Sequence, residues 1–410
     1  MSDATGRPIF APERRFAWLR LWRSENIGPR TFDALLSRFG SAEAALDALP
    51  EFARSRGGGR AVRIAPAADI EAELAAADRY GASFLCRDER DYPAALREIP
   101  DAPAVIAVRG RLDLLGRPAI AVVGSRNASA AGLAFTERVA RDLAGAGYVV
   151  VSGFARGIDN RAHRASLATG TIAVLAGGHD RLYPADQGPL MELLLEDGAA
   201  ITEMPFGWEA RGRDFPRRNR IVSGLSLGVV VVEAARRSGS LITARFAADQ
   251  GRDVFAVPGS PLDPRAEGTN ELIRDGAVIC TSANDVIRML AQQVASGRTP
   301  DDLLLETNST QVGPFWDELD LFGAAPSADP VPGGLFEAPP GHGDGHQDRP
   351  TERPTTEQVA ERLSPAPVSL DELARGLNAS IKDVRGALLQ LELEGRIERH
   401  GGGLVSLIAS

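Results

Sequence analysis

AIAVVGSRNASAAGLAFTERVARDLAGAGYVVVSG, residues 119–153, is the stretch whose reading decides the fold. It opens with a short apolar run, AIAVVG, that stops at a glycine. A segment with helical spacing follows, and the chain then returns to a second apolar run, YVVVSG (148–153). Both runs are apolar at every position, as in strands covered on both faces. Two parallel strands need a crossover between them, and the intervening segment has the length and periodicity of one. The same unit recurs downstream. TIAVLAGG (171–178), AAITEM (199–204), LGVVVVEA (227–234) and DVFAVPGS (253–260) read as strands. GIDNRAHRASLATG, GPLMELLLEDG and SLITARFAADQG lie between or beside them as helices. The pattern predicts an α/β fold over 82–290: an extended Rossmann-like, doubly wound, mostly parallel sheet.

The flanks read differently. Residues 1–81 are helical in pattern: RRFAWLRLWRS and TFDALLSRF carry apolar residues at helical spacing around a Gly-Pro turn, ENIGPR. A helix-hairpin-helix (SAM-like) domain and a plain helical bundle both fit. Residues 291–353 are rich in Pro, Gly and Asp, and 291–350 hold ten acids against two arginines. That composition predicts a solvated acidic linker. Residues 354–410 read as two helices and a hairpin around a Gly-rich tip, RIERHGGGLVSLI, which is a winged-helix pattern. Its second helix mixes Lys382 and Arg385 with Asp383, Glu392 and Glu394, so protein contact and weak DNA binding both stay open.

Length and composition bound the rest. The 410 residues suit two or three domains. Cys86 and Cys280 are too few for a disulfide framework and lack metal-ligand spacing, so buried thiols are expected. The first twenty residues contain no apolar core of a secretory signal, and no run reaches the length of a membrane span. A cytoplasmic protein without membrane association is expected. The net charge of -9 belongs almost entirely to the linker, whose acids and arginines sum to -8, while Trp208–Arg220 is a local basic patch with five arginines against Glu209 and Asp214. Lysine occurs once, so arginine abundance itself means little, and only its placement counts.

Placement points to one edge. Ligands of open α/β sheets bind beyond the carboxyl ends of the strands. There this chain puts GSR (124–126), SGFARGID (152–159), GG (177–178), EAARRSGS (233–240) and PGS (258–260). Glycine admits close backbone approach, serine caps helices, and helix N-termini attract anions. Each junction alone could be a turn with an N-cap. Together they suggest an anion surface. FPRRNRIVSGLS (215–226) is expected to be the crossover helix starting at that edge. Arg217, Arg218 and Arg220 point in different directions on a helix, so some of them are expected to pair with Glu203 or Glu233. Arginine beside Phe206, Trp208 and Phe215 suits an unpaired polynucleotide, whose backbone is gripped while a base stacks.

Catalysis finds less support. Asp159 and His163 stand four apart, as a helix-stabilising contact or an acid–base pair would, with no nucleophile evident. No G-x-G-x-x-G or Walker lysine motif is present, and no cofactor or metal is expected.

The combination of VGSRNASAAG (123–132), VVSGFARGIDNRAHRASLATGTIAVLAGGHDRLYP (150–184), FPRRNRIVSGLS, VVVVEAARRSGSLITARFAADQGRDVFAVPG (229–259) and GTNELIRDGA (268–277) resembles the DprA/Smf family of DNA-processing proteins. The resemblance implies single-stranded DNA binding without hydrolysis and a homodimer formed through the Rossmann-like domain. It also implies protection of incoming DNA in natural transformation and help in loading the RecA recombinase. It places the binding pocket on Gly124, Ser125, Arg126, Ser152, Gly153 and the Phe215–Arg220 segment, with the 238–243 turn along the same edge. The candidate DNA-binding residues are therefore Gly124, Ser125, Arg126, Ser152, Gly153, Arg156, Arg213, Phe215, Arg217, Arg218, Asn219, Arg220, Ser238, Gly239, Ser240 and Thr243. The alternative is a nucleotide-processing enzyme of the phosphoribohydrolase type; that group carries a Pro-Gly-Gly-x-Gly-Thr turn followed by a glutamate, whereas here SGSLIT occupies the comparable place and Glu233 precedes it.

Overall fold

A computed structural model describes residues 7–55 and 62–295. In the C-terminal part it describes 356–361, 363, 368–369, 373, 384, 388, 391, 396–400 and 404–407. The chain divides into two compact units, one running to Asp329 and one from Pro330.

The first unit is built on a nine-stranded sheet of order β1-β2-β6-β5-β4-β3-β7-β8-β9. Its strands are β1 Ala82–Cys86, β2 Val105–Gly110, β3 Ala119–Val123, β4 Val149–Ser152 and β5 Thr171–Val174. β6 Ala199–Thr202, β7 Gly228–Val231, β8 Asp253–Ala256 and β9 Val278–Ile279 complete it. From β6 through β9 every pairing is parallel, whereas β2 runs antiparallel to both β1 and β6. The expected mostly parallel, doubly wound sheet is what forms, and the antiparallel β1–β2 edge was not anticipated.

Helices cover both faces. α6 Ala130–Gly145, α7 Ile158–Ser166 and α12 Ala283–Ala295 pack on the side of Ile120, Val122, Val150 and Val230. α9 Asp214–Gly224, α10 Gly239–Asp249 and α11 Glu267–Arg274 pack on the side of Ala121, Val123, Val151 and Val229, together with the short α5 Ala94–Arg97. Alternate residues of one strand thus enter opposite cores, which is why the runs are apolar at every position. α8 Gly188–Asp197 covers Ala173, Leu175 and Ala200. α12 continues to Ala295, so the first residues of the expected linker, 291–295, are helical; 296–353 lie outside the described residues.

Four helices precede the sheet: α1 Pro12–Arg23, α2 Pro29–Phe39, α3 Ala42–Ser55 and α4 Ala67–Tyr80. Pro12 and Pro29 stand in first turns, where a missing N–H costs nothing. Gly40 ends α2 in the left-handed conformation, φ 82°. Trp18 meets Phe10 and Phe32 edge-on, with centroids 5.1 and 5.0 Å away. The same apolar cluster takes in Phe84, Cys86, Val105 and Ala107, so the helices cap one face of β1 and β2. Buried Glu89 locks this joint, accepting from the N–H groups of Phe10 and Cys86 and from the Arg15 guanidinium.

In the second unit, β12 Leu404–Leu407 pairs antiparallel with β11 Ile397–His400 and with β10 Val368–Ser369. Val359 of α13 (Thr356–Glu361) joins Leu373, Val384, Leu388, Leu391, Ile397 and Val405 in a small core. Val384, Leu388 and Leu391 are helical and share one face, as the winged-helix reading requires. Lys382, Asp383, Arg385, Glu392 and Glu394 lie outside the described residues. No helix among the described residues is long and apolar enough to cross a membrane.

Replacing Glu89 by Ala leaves two backbone donors and a guanidinium without their acceptor. A loss of about 3 kcal/mol in unfolding free energy is expected, to be measured by urea denaturation of the purified chain.

Candidate nucleic-acid interface

The strand order reverses between β3 and β7, and the loops leaving these strands and β4 form one rim. Gly124–Arg126 leaves β3 tightly held. A Cβ on Gly124 would lie 2.7 Å from Ile158, and one on Gly157 would lie 2.3 Å from the Ser125 carbonyl. Gly157 has φ +76°, a conformation that side chains rarely adopt. The Ile158 N–H donates to the same carbonyl at 3.2 Å. The backbone of this loop is therefore gripped from below, and Arg126 is left exposed above it.

α9 brings the arginine cluster to the rim in three different roles. Arg218 is buried; its Nη1 donates to the carbonyls of Gly153 and, at 2.8 Å, of Val174. The guanidinium fits only because residue 153 is glycine: a Cβ there would stand 2.0 Å from Nη1. Burial pushes its pKa down to about 10, with Asp159 opposing, so Arg218 stays charged at neutral pH. Arg217 and Arg220 both bind Glu203, at 2.9 and 2.6 Å. Of the two expected ion-pair acceptors, Glu203 is the one used. Arg220 is wholly buried and Arg217 partly so. Arg23 Nη1 donates to the Glu203 carbonyl at 2.9 Å, which ties α1 to the same residue.

Phe215 remains half-buried at the rim. The Arg126 guanidinium carbon lies 5.1 Å from its ring centroid, and Tyr183 meets the ring edge-on at 5.2 Å. Tyr183 is 52% exposed. It was missed in the sequence, although an aromatic in the loop after β5, within HDRLYP, was the available signal. Arg156 is exposed and paired with Asp186 at 2.9 Å, and Arg213 is exposed at the start of α9. A cleft of about 1180 Å³ opens beside Arg213, Arg217 and Trp208 toward the α1–α2 turn at Asn26–Gly28.

Several other candidates bond within the scaffold. Ser152 is buried and donates to the Val122 carbonyl at 2.6 Å. Asn219 donates to the Gly239 carbonyl at 3.1 Å, fixing α9 against the start of α10. Ser238 caps α10 and shares a 2.7 Å contact with the Ser240 hydroxyl, while Thr243 is buried below. The structure thus brings Ser125, Arg126, Arg156, Arg213 and Phe215 to the accessible rim. It places Ser152, Gly153, Arg218, Asn219, Arg220, Ser240 and Thr243 beneath.

The expected Asp159–His163 contact gives way to other partners. Asp159 accepts from the Ala155 N–H at 3.2 Å. His163 Nδ1 meets Thr171 Oγ1 at 2.9 Å, and that hydroxyl donates onward to the Val150 carbonyl at 2.6 Å. His163 is therefore the donor, protonated at Nδ1. His179 Nε2 faces the Ala107 carbonyl at 3.1 Å and must donate as well. Burial depresses both imidazoles, His163 to about 3 and His179 to about 4.

The comparisons with known proteins agree with this architecture. Residues 83–291 match the family described as DNA recombination-mediator protein A. Residues 12–76 match the DprA-like N-terminal HHH domain and 346–403 the DprA winged helix domain. The three matches together define a three-part class of DNA-processing proteins. The chain belongs to the DprA/Smf family. It is 46% identical over 198 residues to DNA processing protein DprA of Streptococcus pneumoniae, covering 48% of this chain and 70% of that protein. It is 33% identical over 328 residues to Protein Smf of Synechocystis, covering 78% of each. The X-ray structure of the Streptococcus pneumoniae DprA superimposes with a TM-score of 0.57 at 34% identity, over 68% of this chain and 98% of that one.

Two predictions follow from the buried groups. Gly153→Ala drives a methyl into the Arg218 guanidinium and should cost about 2 kcal/mol of stability, read by thermal unfolding. Both histidines return to the ordinary value of 6.5 on unfolding. The unfolded chain then binds more protons, so stability falls as pH drops from 6.5 toward 4. His179→Gln, whose amide can still donate to Ala107, should flatten that fall by up to about 1.4 kcal/mol per pH unit. Unfolding midpoints between pH 7 and 4.5 for both proteins decide it.

Proposed function

We propose that this chain binds single-stranded DNA along the rim formed by the loops after β3, β4 and β5 and the start of α9. In that role it protects incoming strands and helps load RecA during natural transformation. It acts as a cytoplasmic binding protein rather than an enzyme, and as a homodimer through the Rossmann-like domain. The observation that carries the reading is the exposed Arg126 over Phe215 with Tyr183 on the same ring, beside a buried, charged Arg218. Arg126 makes no ion pair among the described residues, so its charge is available to a phosphate while bases stack on the aromatics. Family membership supports the DNA-processing role, and it is what supports the RecA and homodimer assignments.

The rim pairs guanidinium groups with aromatic faces, which grip any phosphate and stack any base, so binding should be tolerant of sequence and sensitive to salt. Arg126→Ala should weaken binding of an oligo-dT by roughly tenfold and lower the log–log salt slope by about one. Phe215→Ala should weaken it by roughly five- to a hundredfold, through lost stacking. Electrophoretic shifts at several salt concentrations measure both. Wild-type affinity in both folded variants would remove this rim as the binding surface.

A further inference from the structure

One carboxylate near the rim is engaged in a way that DNA binding does not require. Glu233 follows β7, on the far side of the strand-order reversal from α6. Its Oε2 accepts the Ser129 N–H at 2.9 Å, and its Oε1 accepts the Ser129 hydroxyl at 2.5 Å. Ser129 is the N-cap of α6, and its hydroxyl oxygen in turn accepts the Gly132 N–H at 2.9 Å. The carboxylate lies so close over the first turn that a Cβ on Gly132 would stand 2.5 Å from Oε1 and 2.6 Å from Cδ. In open α/β sheets this crevice, with its helix N-terminus, is where a nucleotide phosphate is received. Here the free amides and partial positive charge are answered from within the chain.

We infer that Glu233 is a specificity-determining residue: its carboxylate fills the anion position at the start of α6 and so excludes inorganic phosphate and free nucleotides from the switch-point crevice. A phosphate entering there would have to displace two hydrogen bonds and then meet a negative charge. Glycine at 132 is what lets the internal anion lie against the turn. The rim at Arg126 and Phe215 lies outside this plug, so exclusion of mononucleotides is compatible with a polynucleotide held beside it. The inference does not rest on DNA binding.

The test uses the full chain with inorganic phosphate and AMP as probes, by calorimetry and thermal shift. Glu233→Ala should bind phosphate roughly tenfold more tightly than wild type, the scale of an anion at a partly buried helix N-terminus. Glu233→Gln, which keeps the side-chain volume and one acceptor but removes the charge, should gain affinity for phosphate by less than Glu233→Ala. The gain should vanish in Glu233→Ala combined with Ser129→Ala, which removes the hydroxyl that receives the anion. If Glu233→Ala is destabilised, phosphate should raise its melting temperature more than that of wild type. Equal affinity and equal thermal shift in Glu233→Ala and wild type would overturn the inference, as would a gain that survives in the double variant. Binding of oligo-dT by wild type is scored separately, so loss of the DNA reading would leave this result interpretable.

Discussion

The buried Arg218 guanidinium is the interaction on which the rim depends. It bonds backbone carbonyls at the ends of β4 and β5, and so fixes the start of α9 against the sheet. Phe215 lies one turn away on the same helix and is thereby held beside Arg126. Carbonyl partners leave the guanidinium charged, while the nearby Asp159 carboxylate offsets part of its field. Arg218 and Arg126 are close enough for their charges to act on each other. Both bonds leave from the one nitrogen, Nη1, so a single donor ties the ends of the two strands together.

Around that anchor the division of labour is plain. Glycines at 124, 153 and 157 are each fixed by what presses on them: Ile158, Arg218 and the Ser125 carbonyl. Ser152 and Thr243 are spent inside the scaffold. Only a few side chains reach solvent, and these mix guanidinium with aromatic surface. That mixture suits phosphates and ring faces, which every nucleotide presents.

The sheet was legible because each strand is short, apolar at every position and followed by a helix-period segment. The 119–153 stretch alone contains a complete unit. The edge strands β1 and β2 were not, since ASFLC and VIAVRG are isolated runs without that alternation. At the site, sequence located the glycines and the arginine cluster but could not sort the arginines. Arg217 and Arg220 share one acid, Glu203, from a different element. Arg218 is held by carbonyls, which leave no mark in a sequence. Tyr183 escaped because its packing on Phe215 joins a loop to a distant helix start.

Glu203 has a wider reach than its ion pairs suggest. Its side chain steadies two arginines of α9, while its backbone oxygen receives Arg23 from α1, and Arg23 also grips Glu73 of α4. The leading helices and the cationic helix are thus geared to a single residue at the tip of β6. Any displacement of α1 would therefore act on the same residue that steadies Arg217 and Arg220.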